Sequence, residues 1–152
     1  MTGARRPYLK VVVVGQATGR VGGKPWNGNT PSSKRLYRWL GVADYGEFMA
    51  CYRPFNIGRY AGKEGKGDAY VVDPASVLAI MVAVSDADLV LLVGKAAQRA
   101  VFGEMEKVTW KHGKYCGVPH PSGINMQLNH GGELRVMRVV RRWVREAARS
   151  LR

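Results

Sequence analysis

Leu89-Val90-Leu91-Leu92-Val93-Gly94-Lys95-Ala96-Ala97 is a run of five apolar residues that meets a glycine and passes at once into helix formers. An apolar run of this length without alternation is the pattern of a strand covered on both faces, and Gly94 followed by Lys-Ala-Ala reads as that strand turning directly into a helix over 95–102. Upstream, residues 74–84 are apolar apart from Ser76, with Pro74 in the first turn, which predicts a buried helix. Further upstream, Val11-Val12-Val13-Val14-Gly15 is a second buried strand, starting near Leu9 and emptying into a glycine-rich loop. Strands alternating with helices predict an α/β fold with a parallel sheet, whose ligands bind beyond the carboxyl ends of the strands.

The rest of the chain fits around these segments. Residues 33–40 read as a short helix, with Pro31 and Ser32 at its start and Gly41 at its end. Residues 48–52 read as a strand stopped by Arg53-Pro54. From 56 to 68 four glycines and several basic residues, with little apolar patterning, read as a surface loop able to touch a polyanion. Residues 108–111 are ambiguous, 116–119 read as the last strand, and a final helix starts at 133. In that helix Val136, Met137, Val140, Trp143, Val144 and Ala147 recur at three- and four-residue steps and leave Arg135, Arg138, Arg142, Arg145 and Arg149 outward. Without an internal repeat or a long linker, residues 1–152 are expected to form one domain: a three-layer α/β/α sandwich around a mainly parallel four-stranded sheet.

Composition narrows the partners. The formal net charge of +13 attracts a polyanion held through neutralised phosphates, although basic proteins also bind membranes, ribosomes and acidic partners. No apolar run approaches the ~18 residues that cross a bilayer, and the first residues lack the apolar core of a signal peptide, so a cytoplasmic location is expected. Cys51 and Cys116 are far apart, and His112, His120 and His130 have no accompanying carboxylate or thiol at ligand spacing. No metal and no cofactor are therefore expected. Gly15-Gln16-Ala17-Thr18-Gly19-Arg20-Val21-Gly22 also lacks the spacing of a dinucleotide-binding loop, and Gly23-Lys24 that of a phosphate-binding loop.

Two further loops carry chemistry. Pro25-Trp26-Asn27-Gly28-Asn29 follows the first strand, and His120-Pro121-Ser122-Gly123-Ile124-Asn125 follows the last. The second puts an imidazole, a small hydroxyl and an apolar tip on one short loop, a combination suited to drawing a base out of a duplex. Together with the strand running into Gly15-Gln16 and the central strand-Gly94-helix, these loops resemble the uracil-DNA glycosylase superfamily, over a span from about residue 9 to residue 125.

The resemblance implies hydrolysis of a deoxynucleotide's glycosidic bond after base flipping, by a monomer acting on single- or double-stranded DNA. It implies that Trp26 stacks on the base, where relatives carry Pro-Phe; a tryptophan is as often a core residue, but the setting between Pro25 and Asn27-Gly28 favours the site. His120 would hydrogen-bond the base carbonyl, helped by main-chain amides near Gln16 and Ala17. Ile124 would fill the vacated stack, and Ser122, Gly123, Asn125 and Lys95 would contact DNA. Some relatives hold an iron–sulphur cluster on four cysteines, which two thiols cannot supply.

The chain also departs from the family. Ala17 stands where the best-known members have Asp or Asn, and neither Gln16 nor Asn29, the alternative places for an acid, is a carboxylate. Asn29 can orient water through its amide, or it can be a turn residue after Gly28. Phe48 stands where relatives carry a base-reading Asn, and Asn56 either compensates from the following loop or is an ordinary loop residue. Two functions are thus open: excision of uracil or a related modified pyrimidine, or a glycosylase fold that binds DNA or acts on a modified base without ordinary uracil excision.

Overall fold

The computed structural model describes residues 8–16, 24–64, 67–122 and 132–151. Strand β1 (Val11–Gly15) is followed by helices α1 (Pro31–Leu40) and α2 (Tyr45–Cys51), then β2 (Tyr52–Asn56). A hairpin of β3 (Gly58–Glu64) and β4 (Gly67–Val72) leads to α3 (Pro74–Ser85), β5 (Leu89–Val93) and α4 (Lys95–Val101). Then come β6 (Trp110–His112), β7 (Tyr115–Val118) and α5 (Gly132–Arg149).

The main sheet runs β2-β1-β5-β7-β6. Its first four strands are parallel and match the expected number, but β2 starts where the expected strand over 48–52 ends and runs through Arg53-Pro54, a proline tolerated on an edge strand. The ambiguous stretch near 108–111 supplies a fifth strand, β6, antiparallel on the other edge. The two faces separate as the period of a strand requires. Val11, Val13, Leu89, Leu91, Val93, Cys116 and Val118 face a layer of α1, α2 and α5. Val12, Val14, Val90 and Leu92 face α3, α4 and Trp110. That is the three-layer α/β/α arrangement. In α5 Val136, Val140 and Trp143 are buried, while Arg135, Arg138, Arg142, Arg145 and Arg149 are exposed.

Three local expectations are corrected. Residues 48–51 end helix α2 rather than opening a strand. Asp44 caps that helix by accepting from Glu47 N–H at 2.9 Å, while Glu47 reaches back to Ala43 N–H at 3.1 Å, so local capping outweighs the β propensity of Phe48 and Tyr52. The stretch expected as a loop from 56 to 68 closes as the β3–β4 hairpin, with Gly58 opposite Val72 and a register shift between Tyr60 and Gly62. A Cβ at Gly58 would sit 2.1 Å from the Val71 carbonyl oxygen, so glycine here lets two backbones meet, and its presence marks a close approach as much as a loop. Finally, α3 is apolar all round but buries only Ile80 and Val84, leaving Leu78 at 66 % and Val82 at 67 % exposure.

Candidate active site

Four parallel strands bring their carboxyl ends to one edge. Gly15 and Asn56 are register partners at the ends of β1 and β2. Gly94 follows β5, and His120 lies two residues beyond β7. The sheet order changes direction at β1 and β5, the place where an open parallel sheet forms its ligand crevice. Gly94 N–H donates to the Val118 carbonyl at 2.9 Å and so ties the β5 and β7 exits together. Gly94 has φ +89°, and a Cβ on it would stand 3.3 Å from His120 Cβ; backbone conformation and proximity both call for glycine under this histidine.

Trp26 occupies the other side of the crevice. It is the one non-glycine among the described residues with positive φ (+55°), a conformation costing roughly 1–2 kcal/mol for an ordinary side chain. Tyr37, from α1, holds it there by donating its hydroxyl to the Trp26 carbonyl. Burial, aided by Tyr45 and Asp44, pushes the Tyr37 phenol up to about 12, so it remains a donor through the neutral range. The indole is 9 % exposed and belongs to the core cluster, so it is a core tryptophan and a crevice residue at once. Its Cζ2 and Cε2 lie 2.8 and 3.1 Å from where a Gly15 Cβ would be, and Asn56 Oδ1 is 2.9 Å from the same point. Its ring centroid is 5.8 Å from that of His120, with the planes tilted by 37°.

Trp26, His120, Asn56 and the Gly15-Gln16 backbone therefore converge. Asn56 does so as the last residue of β2 rather than as a loop residue. Gln16 uses its carbonyl to accept from Gly58 N–H at 2.9 Å and so helps launch the hairpin. Phe48 is wholly buried against Tyr37 and Tyr52 and stays in the core. Asn29 has an exposed side chain, and its N–H donates to Asn27 Oδ1 at 2.9 Å in a turn just before Thr30, the cap of α1. Lys95 is exposed at the start of α4, bordering a cleft of about 280 Å³ with Gln98, Arg99 and Glu104, on which neither Trp26 nor His120 opens. Ala17, Gly123, Ile124 and Asn125 lie outside the described residues.

The electrostatics of the crevice are those of neutral groups. Burial pushes the His120 imidazole below its ordinary pKa, leaving an uncharged ring that still offers one N–H. With the indole N–H and the Asn56 amide it makes a set of uncharged hydrogen-bonding groups, suited to the carbonyl and imide edge of a heterocycle and not to a phosphate.

Three supporting residues escaped the sequence reading. Tyr37 is one. Arg35 is another: its Nη1 donates to the Ser122 carbonyl at 3.1 Å and its Nε lies 3.4 Å from Glu133 Oε1, so one guanidinium joins the His-Pro-Ser loop to the first turn of α5. The third is Gln98, buried in α4, which donates to the carbonyls of Val108 at 3.0 Å and Val118 at 3.2 Å and accepts from Trp110 Nε1 at 2.9 Å. It fixes the exit of β7 from which His120 hangs. Nothing local announces these roles, since each is defined by partners 10 to 98 residues away.

A profile described as the uracil DNA glycosylase superfamily matches residues 3–139, nearly the whole chain. The chain belongs to the uracil-DNA glycosylase superfamily. The match spans the Gly15-Gln16 strand end, the Pro25-Trp26 loop, the strand-Gly94-helix and the His120 loop, and superfamily membership points to glycosylase activity on DNA. No curated protein matches the chain, so the likeness supplies a superfamily and not a base preference. No helix among the described residues is long and apolar enough to cross a membrane.

Proposed function

We propose that this superfamily member is a monofunctional DNA glycosylase that removes uracil or a related modified pyrimidine by base flipping, in base excision repair. The convergence of His120 and Trp26 over Gly15 and Asn56, at the switch point of the sheet, carries the reading. Cleavage leaves negative charge on the departing base and oxocarbenium character on the sugar. A neutral imidazole N–H at the base carbonyl gains strength as that charge develops, which is the requirement for accelerating the step. Main-chain amides near Gln16 and Ala17 assist, Trp26 and Asn56 contact the base, and Asn29 orients the water. Ile124 fills the stack, while Ser122, Gly123, Asn125 and Lys95 hold the backbone, with the protein acting as a monomer in the cytoplasm.

Single-turnover excision from single- and double-stranded oligonucleotides carrying uracil, thymine or 5-hydroxymethyluracil tests this. Release of at least one base supports it. Asn29→Asp should be faster than wild type, because a carboxylate stabilises the sugar cation better than an amide. A second reading rests on one observation, that Gln16, Ala17 and Asn29 are all uncharged. If every base is retained while DNA is bound, the chain is a glycosylase-fold binder.

A further inference from the structure

The indole N–H of Trp26 is buried and, among the described residues, has no hydrogen-bond acceptor; it is the one buried side-chain donor there left so. A buried donor without an acceptor costs about 1–3 kcal/mol, and most such groups are paired. Trp39 and Trp110 follow that rule, donating to Glu133 and Gln98. The orphaned donor belongs instead to a residue held in a strained left-handed conformation by the Tyr37 hydroxyl, packed against Gly15 and facing His120. A phenylalanine could supply an aromatic face there without the penalty. Strain and an unpaired donor retained together in a crevice are signs of a group set for a ligand.

Indole Nε1 is bonded to Cε2, and Cε2 lies 3.1 Å from the Gly15 Cβ position, with Asn56 Oδ1 2.9 Å from the same point, so the donor side of the ring lies at the Gly15–Asn56 end of the crevice. The ligand that completes this site presents an acceptor in the plane of the indole, close to an amide and an imidazole. The hexagonal edge of a pyrimidine does so through its ring carbonyls, and an amino group at the same place does not.

We propose that the Trp26 indole N–H is a specificity donor that takes a carbonyl oxygen of the extruded pyrimidine, so that the base meets the edge of the indole rather than stacking on its face. This deepens the glycosylase reading and rests on it. A site built to donate to a carbonyl rejects an analogue without one far more strongly than a purely apolar pocket does, because the donor is then left unpaired. Trp26 would thereby favour uracil- and thymine-like bases over a ring that presents no acceptor at that edge.

The test is the indole N–H spectrum of protein labelled with nitrogen-15 in its four tryptophans, titrated with free uracil, thymine, 5-hydroxymethyluracil and benzene, a ring of similar size with no in-plane acceptor. The Trp26 signal is assigned by its loss in Trp26→Phe or, should that variant not fold, by its proximity to the His120 ring. The proposal expects the Trp26 signal alone to move downfield with at least one carbonyl-bearing base and to show no such shift with benzene. It also expects folded Trp26→Phe to bind that base about tenfold or more weakly. Saturable binding that shifts His120 but leaves the Trp26 N–H unmoved overturns the proposal and spares the glycosylase reading. Absence of binding by all three bases also overturns it, and the glycosylase reading then stands or falls on excision alone.

Discussion

His120 is held beside Trp26 by features of two strands: the glycine after β5 gives it room, and it lies two residues beyond β7, with its ring centroid 5.8 Å from that of Trp26. Burial depresses its pKa, so folding disfavours the imidazolium. The unfolded chain then binds the proton more readily, and the stabilisation is fully present above the ordinary value of 6.5 and is lost as pH falls through the folded value. Thermal melting of wild type should therefore decline as pH falls from 6.5 toward the folded value, and His120→Gln should decline less over the same range. Equal declines would mean that the imidazole is not titrating from a buried state. The convergence of His120, Trp26 and Asn56 on one crevice was legible because imidazole, indole and amide stand beside glycines at predicted strand ends. What was not legible is that Trp26 is core and crevice residue at once. Its left-handed backbone and its contact with Gly15 depend on Tyr37, eleven residues on, through a hydroxyl that no spacing rule announces.

At the scale of elements, strands β1 and β5 were readable because an unbroken β-branched run has few alternatives to a buried parallel strand. Helix α2 was readable in principle from Asp44-x-x-Glu47, a capping pair that outranked the aromatic residues beyond it. Helix α3 shows the reverse limit: a sequence apolar on every side has no moment, so nothing in it says which side is covered. In the structure Ile80 is fully buried and Val82 is mostly exposed. Ile80→Ala should cost about 2–5 kcal/mol in denaturant unfolding, and Val82→Lys should stay within about 0.5 kcal/mol of wild type. Similar costs for both would place α3 differently. Arg35 is the joint between elements, binding the carbonyl of Ser122 and the carboxylate of Glu133. Arg35→Ala should slow excision about tenfold or more with DNA affinity little changed, since small misplacements of a positioned group are costly. Arg35→Lys should recover only part, because one ammonium cannot span both partners. An affinity loss that accounts for the whole effect would instead make Arg35 a phosphate contact.

Across the whole molecule, the charge of +13 is carried in part by the exposed arginine row of α5, and superfamily membership supplies the polyanion. Affinity for a duplex should therefore fall by orders of magnitude as salt is raised several-fold, with a linear log–log dependence. A salt-insensitive affinity would remove phosphate contacts as the main source of binding. If charge supplies attraction and the uncharged crevice the chemistry, as proposed, binding and excision should separate on mutation. The most direct measurement is single-turnover excision by wild type and His120→Ala on the base that wild type removes fastest, with DNA affinity and melting measured alongside. The account predicts a folded variant that binds DNA like wild type and excises roughly a hundredfold or more slowly, because the lost N–H strengthens only as charge develops on the base. A folded His120→Ala that excises at the wild-type rate would contradict it.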